Sequence, residues 1–279
     1  MKNIYTYGGR PARRNLTVAC LRANKAAGRK MTQASATTEE EARACEEMGI
    51  DMITISDLDY DAVRRGASYT FITSSQTMCQ YYAPQDCLTA ALKAAEKGAD
   101  AIFTPRGMGI VELIANEGLA VQGHVGLVPR KSTLTGGLKT YGKTADEAMQ
   151  LLDWMRRYED AGAAAVEVEC VAVEALEAIN HKTSLLTHSI GAGSGGDIIF
   201  SFMEDICGDV ENPPRHAKAW GDLLSLRRAM GAEREKALTG FRADVQSGAF
   251  PDAAHTVGML PGEHEKLKEA LDKWTPVHQ

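Results

Sequence analysis

The chain has 279 residues, is 44% hydrophobic and 24% charged, and carries a net charge of −6. That is an ordinary globular composition with the length of one large α/β domain, and its acidic balance gives no footprint for nucleic acid. No apolar run approaches the ~20 residues that span a bilayer, and the start MKNIYTYGGRPARR lacks the apolar stretch of a secretory signal.

Arg10, Arg13 and Arg14 read as solvated surface. The spacing then predicts a helix over 15–28, a short strand over 30–35 and a helix over 37–49. Thr38 precedes three glutamates as a start signal for that helix, and Gly49 stops it. DMITIS (51–56) reads as a buried strand rich in β-branched residues. The beat repeats: strand 69–74 and helix 83–98, strand 99–104 and helix 109–118, strand 119–124 and helix 144–162. Strand 163–169 with helix 171–182, and strand 184–190 with a helix over roughly 196–207, complete the series. Seven or eight such units joined by short connections force a parallel sheet, and a closed barrel suits them better than an open doubly wound sheet. No GxGxxG or GxxxxGK[ST] loop is present.

From about 209 the rhythm stops at Asn212-Pro213-Pro214, and three charged helical stretches run to Trp274. They read as a C-terminal extension of a single domain, 1–279, serving as a cap or an oligomer contact. The six cysteines are scattered, with no CxxC pair. This argues against a disulfide framework or structural zinc and for a cytoplasmic protein with reduced thiols.

In a (β/α)8 barrel the loops after the strands build the active site. Three such places are rich in polar residues and glycine: 123–143, 166–170 and 189–193. Glu169 ends a strand, and alternation puts it on the same face as Glu167. An inward carboxylate at a barrel mouth is costly unless paired or used, so Glu169 is a candidate acid/base; Glu167 is a further inward carboxylate or a partner deeper in the barrel. His124 ends its strand before a glycine loop and suits proton exchange or hydrogen bonding to a substrate oxygen. His188 follows the same logic with less support. Asp57 reads either as a functional carboxylate or as the N-cap of a helix over 58–66. Gly191 and Gly193 either admit a ligand close to the backbone or make a tight strand–helix turn. Lys139 is a surface residue or a loop gate, and Cys170 is a small residue buried at a strand end.

The motifs AVRRGA (62–67), GHVGLVP (123–129), GGLKTYG (136–142), EDAGAAAVEVECVAVE (159–174), IGAG (190–193) and QSGAFP (246–251) resemble the ketopantoate hydroxymethyltransferase family. The resemblance implies a TIM-type barrel of the phosphoenolpyruvate/pyruvate group and aldol-type chemistry on a small 2-oxo acid through an enolate. It also implies a homo-oligomer, and 5,10-methylenetetrahydrofolate as one-carbon donor. Glu169 and His124 match the family's catalytic pair. The family's magnesium ligands are an Asp, an Asp and a Glu; here Asp57 is kept, Ser75 stands at the second position, and Phe103-Thr104-Pro105-Arg106 falls at the third. The Lys that holds the substrate carboxylate is lost with it, and about twenty residues that form the family's lid-like segment before AVRRGA are missing. The expectation is a weak magnesium site, with Asp57, Ser75, Arg106, Gly191 and Gly193 facing the substrate and Arg106 holding its carboxylate. The ligand losses leave two rival readings: a lyase, hydrolase or mutase acting on another small carboxylate, and a barrel kept for binding or assembly alone.

Overall fold

The computed structural model describes residues 1–77 and 79–275. It divides into two compact units, Met1–Asp222 and Leu223–Gln279.

The first unit opens with an antiparallel hairpin, β1 (Lys2–Tyr5) and β2 (Pro11–Arg14), and helix α1 (Val18–Ala26). Then β3 (Met31–Ser35), α2 (Glu39–Glu47), β4 (Met52–Ser56), α3 (Tyr60–Gly66), β5 (Phe71–Ser75), α4 (Pro84–Lys97), β6 (Ala101–Phe103) and α5 (Met108–Ala115) alternate. After β7 (Val121–Gly126) the glycine-rich segment holds a single turn, α6 (Ser132–Thr135), and the long α7 (Ala145–Asp160) follows. β8 (Ala165–Glu169), α8 (Val173–Ile179), β9 (Leu186–Ile190), β10 (Ile198–Ser201) and α9 (Met203–Cys207) complete the unit. Strands β3 to β10 close a barrel in the order β10-β3-β4-β5-β6-β7-β8-β9, and its neighbours pair in parallel.

The sequence builds these elements by local rules. Thr38 caps α2 in a reciprocal capping box with Glu41, which satisfies donors that the first helical turn leaves open. α4 starts with proline in its first turn and stops at Gly98, whose φ of 106° is left-handed. The carbonyl of Gly98 accepts from Arg14 and Arg64, both at 3.0 Å. Asp100 pairs with the same two arginines at 2.7 and 3.1 Å. Arg14 is therefore buried in an ion cluster that ties β2 to the start of β6, whereas the sequence reading put it on the surface with Arg10 and Arg13. Its partner lies 86 residues downstream, beyond the reach of any local pattern.

Two further expectations are corrected. The stretch 196–207, read as one helix, is the eighth strand followed by α9. Ile198-Ile199-Phe200 is β-branched and aromatic and finds a parallel partner on each side, β9 and β3, so pairing decides its conformation. The three C-terminal helical stretches are two helices, α10 (Leu223–Ser247) and α11 (Glu263–Asp272), with a single 3-10 turn at Ala253–His255. Among the described residues no helix is long and apolar enough to cross a membrane.

Inside the barrel, side chains stack in layers. Met31, Met52, Phe71, Ala165, Leu186 and Ile198 cluster at the start of the strands. Two residues further along, the inward positions turn polar, with Gln33, Thr73 and His188 all buried. His188 Nδ1 lies 2.6 Å from Gln33 Oε1; an amide oxygen only accepts, so the imidazole proton sits on Nδ1. Burial pushes the His188 pKa down to about 3 and keeps the ring neutral. His188 is thus a satisfied interior residue, not a mouth residue.

Candidate active site

The C-terminal ends of β7 and β8 bring three side chains together. Register pairs His124 with Glu167 and Gly126 with Glu169, and alternation turns both glutamates inward. His124 Nε2 lies 3.0 Å from Glu169 Oε2 and 3.7 Å from Glu167 Oε1. One donor atom from each of the three falls within 4.8 Å of the others. Carboxylate oxygens only accept, so Nε2 carries a proton and donates it to Glu169. His124 is buried, and the two glutamates are 15% and 18% exposed.

The cluster is held from behind. Tyr158 on α7 donates its hydroxyl to the His124 carbonyl at 3.2 Å, and the Phe103 ring lies tilted against the imidazole, 5.7 Å between centroids. Burial pushes the Glu167 carboxyl up to about 7, with the Glu169 charge adding to the rise and His124 opposing it.

Two cavities are each lined by one member of this cluster. One of about 390 Å³ lies beneath the segment after β7 and is lined by His124, Lys131, Leu138, Lys139, Tyr141 and Trp154 among others. The other, about 230 Å³, opens at the barrel mouth and is lined by Thr54, Ser56, Ser75, Phe103, Glu167 and Phe200 among others. No Lys or Arg is among the described residues lining the mouth cavity.

The opposite side of the mouth is organised differently. Asp57 accepts from Thr77 Oγ1 at 2.7 Å and from the Tyr81 hydroxyl. It does not cap α3, whose N-cap is Asp59. Ser75 faces the mouth cavity. Arg106 donates to the Tyr81 carbonyl and is not among the residues lining either cavity. Lys139 pairs with Glu147 at 2.8 Å while lining the larger cavity. Gly191 and Gly193 have φ of 62° and 72°. A Cβ on Gly191 would fall 2.9 Å from the His216 ring, and one on Gly193 would fall 2.6 Å from Val173. The left-handed φ and the close packing at the turn after β9 both call for glycine at these two positions. Cys170 is the single non-glycine residue with positive φ among those described, at 50°. Burial and the neighbouring Glu169 raise its thiol pKa, so the thiol stays protonated and is a poor nucleophile. Sequence reasoning missed Tyr81 and Thr77, the two groups that hold Asp57. It saw Glu167 only through its parity with Glu169.

A family model described as ketopantoate hydroxymethyltransferase matches residues 58–253. The chain belongs to this family. Among its relatives named 3-methyl-2-oxobutanoate hydroxymethyltransferase, that of Bacillus licheniformis is 33% identical over 223 residues, covering 75% of this chain and 77% of the relative. That of Geobacillus kaustophilus is 31% identical over 266 residues, covering 86% and 93%. A solved 2,3-dimethylmalate lyase, titled a PEP mutase/isocitrate lyase superfamily member, superposes with a TM-score of 0.51 at 12% identity, covering 92% of this chain and 100% of its own. A putative phosphonomutase from Burkholderia cenocepacia gives 0.52 at 12% identity, covering 79% and 100%. These two likenesses establish the barrel fold.

Membership of the ketopantoate hydroxymethyltransferase family implies magnesium, and the residues at the family's ligand positions do not fit it. Magnesium asks for hard anionic oxygens in near-octahedral array. Asp57 is engaged by two hydroxyl donors, Ser75 offers one neutral hydroxyl, and Pro105 offers no side-chain oxygen. Two carboxyl groups and an imidazole gather instead across the mouth, at Glu167, Glu169 and His124.

Proposed function

We propose that this protein enolises a small 2-oxo acid and forms or breaks a carbon–carbon bond at the adjacent carbon, in the manner of 3-methyl-2-oxobutanoate hydroxymethyltransferase. The observation that carries this reading is the hydrogen-bonded pair His124–Glu169 beside Glu167, with His124 lining one cavity and Glu167 lining a second. Enolisation needs a base at the carbon and hydrogen-bonding or positive charge at the oxygen. Glu169 takes the proton from C3, and the Nε2–H of His124 holds the carboxylate in place and shares the proton. The substrate sits in the mouth cavity against Ser75 and the aromatic rings. The larger cavity, with aromatic walls and Lys131 and Lys139 at its edge, suits 5,10-methylenetetrahydrofolate, a planar ring system with an anionic tail. Arg106 acts through Tyr81, which it holds over Asp57, and the glycines at 191 and 193 set the turn after β9.

A second reading, a lyase, hydrolase or mutase reaction on another small carboxylate, is favoured by one observation: the β4–β6 side of the mouth offers one carboxylate, already engaged. The free cysteines suit a reducing, cytoplasmic setting. The exposed apolar side chains of the second unit, Leu226, Met230, Phe241 and Trp274 among them, suit a cap or a contact between copies in a homo-oligomer.

Deuterium exchange at C3 of 3-methyl-2-oxobutanoate in heavy water, followed by proton NMR, tests the reading. Exchange without any one-carbon donor is expected. Absence of exchange in a folded protein that cleaves or rearranges another 2-oxo acid would establish the second reading instead.

A further inference from the structure

We infer that Glu167 is a second catalytic group of this site, whose carboxylic acid donates a hydrogen bond to the reacting oxygen of the substrate while Glu169 and His124 handle the proton on carbon. The inference rests on the enolisation reading above and adds the group that answers the developing charge on oxygen.

Three observations support it. Glu167 is the carboxyl group that lines the mouth cavity, alongside Thr54, Ser56, Ser75 and Phe103. No hydrogen bond from a described residue reaches it: His124 Nε2 is 3.7 Å away and bonds Glu169 at 3.0 Å instead. The cavity lining includes no Lys or Arg among the described residues, so an enolate oxygen finds no cationic side chain there.

The groups that face Glu167 decide its form. On β8 it shares a face with Glu169, on β7 it faces His124, and its register partner on β9 is His188, which stays neutral. The lining residues of β4, β5, β6 and β10 bring no charge, and Asp57 lies beyond β4 with its oxygens taken by Thr77 and Tyr81. Burial and the Glu169 charge therefore favour the protonated acid, and the carboxyl titrates only near about 7. A carboxylic acid kept neutral by burial is a strong donor to an enolate oxygen.

The step balances within the substrate and this chain. The C3–H bond breaks and its proton passes to the Glu169–His124 pair. The electron pair becomes the new C2–C3 double bond, and the carbonyl π pair moves onto oxygen, where it accepts the Glu167 O–H. When C3 attacks its electrophile the carbonyl re-forms, and Glu167 keeps its proton.

The test uses the full-length protein, with C3 exchange of 3-methyl-2-oxobutanoate followed from about pH 5.5 to 9 in wild type, Glu167→Gln, Glu167→Ala and Glu169→Gln, since removing one oxyanion donor costs about 10²–10³ in rate. Wild-type exchange is expected to fall as pH rises through the Glu167 titration. Glu167→Ala loses about 10²–10³-fold. Glu167→Gln, which keeps the shape and offers an amide N–H, recovers part of that rate and loses the alkaline fall.

Infrared difference spectra give a readout independent of turnover: a protonated carboxyl band at about pH 6, well above the ordinary glutamate range, that vanishes in Glu167→Gln and shifts when 3-methyl-2-oxobutanoate binds. Exchange within threefold of wild type in Glu167→Ala, an unaltered pH profile in Glu167→Gln, or a band that ignores the 2-oxo acid would each overturn the inference. Exchange that requires added manganese or magnesium, with metal binding lost in Glu167→Gln, would also overturn it, by giving the carboxylate to a cation. Full activity of Glu169→Gln would instead sink the enolisation reading, and the infrared band would then decide the role of Glu167 alone.

Discussion

The two sides of the barrel mouth have the same architecture and opposite chemistry. On the β4–β6 side, Asp57 is tied to Thr77 and Tyr81, Ser75 offers a hydroxyl, and the loop after β6 turns its arginine to a backbone carbonyl. On the β7–β8 side, two carboxyl groups and an imidazole crowd within 4.8 Å, and the only hydrogen bond within that group joins His124 to Glu169. The first side ties its carboxylate to its own loop, although the buried Ser74 Oγ and Gln76 Oε1 there find no partner; on the second side Glu167, 15% exposed, faces the mouth cavity without a hydrogen bond from a described residue and is open to a ligand. Loss of carboxylates on one side of a barrel thus need not mean loss of chemistry, because the strand ends opposite can hold the acid–base groups.

Paired variants across the mouth break or sharpen this contrast. The largest effect is expected at Glu169. Glu169→Gln keeps the shape but removes the basic carboxylate, so turnover should drop by about 10²–10⁴ with folding unchanged. Turnover near wild type in a steady-state assay would move the base elsewhere, with Asp57 the first suspect.

A smaller effect concerns the ground beneath the active side. His188 is buried and neutral, its folded pKa depressed far below the ordinary 6.5. The unfolded chain takes up a proton there first as pH falls, so this contribution to stability is complete above the ordinary value and is lost on acidification toward about 3. The loss should run at about 1.4 kcal/mol per pH unit. Urea unfolding of wild type and His188→Gln through this window isolates it: the variant should show the shallower decline, and equal slopes would place His188 in contact with water.

The smallest effect is expected across the mouth. Asp57→Ala should reduce turnover by less than about tenfold, well below the loss of a general base, because Asp57 is already bound by its own loop. Titration calorimetry should find magnesium binding weak in wild type and little altered in the variant. Micromolar binding that vanishes in Asp57→Ala, with two more carboxylates on the ion, would restore the β4–β6 side as the working one.

Much of this was legible in the sequence because it is local. Seven barrel strands follow from apolar runs bounded by glycine-stopped helices, and the shared face of Glu167 and Glu169 follows from strand alternation alone. What escaped depends on distant partners. β10 is four residues long, and only β3 and β9 on its flanks make it a strand. Arg14 looks like surface until Asp100 folds against it. Asp57 reads as a functional carboxylate or a cap until the loop after β5 brings Tyr81 onto it. His124 and Glu169 were identified as candidates, but 45 residues separate them in the chain, and only the neighbouring registers of β7 and β8 make them a pair.

Helix α7 and strand β7 meet in one further way. A Cβ on Gly123 would fall 2.5 Å from the Tyr158 ring, so the bare backbone before His124 lies flat against that ring while the Tyr158 hydroxyl grips the next carbonyl. The next residue, Glu159, accepts from Thr183 and Ser184 just ahead of β9. Two consecutive residues of α7 therefore clamp both flanks of β8, one at the His124 backbone carbonyl on β7 and one at the entrance to β9. A side chain at position 123 would need room that only a smaller residue at 158 could leave, so the backbone that carries His124 depends on the pairing of a glycine with a ring.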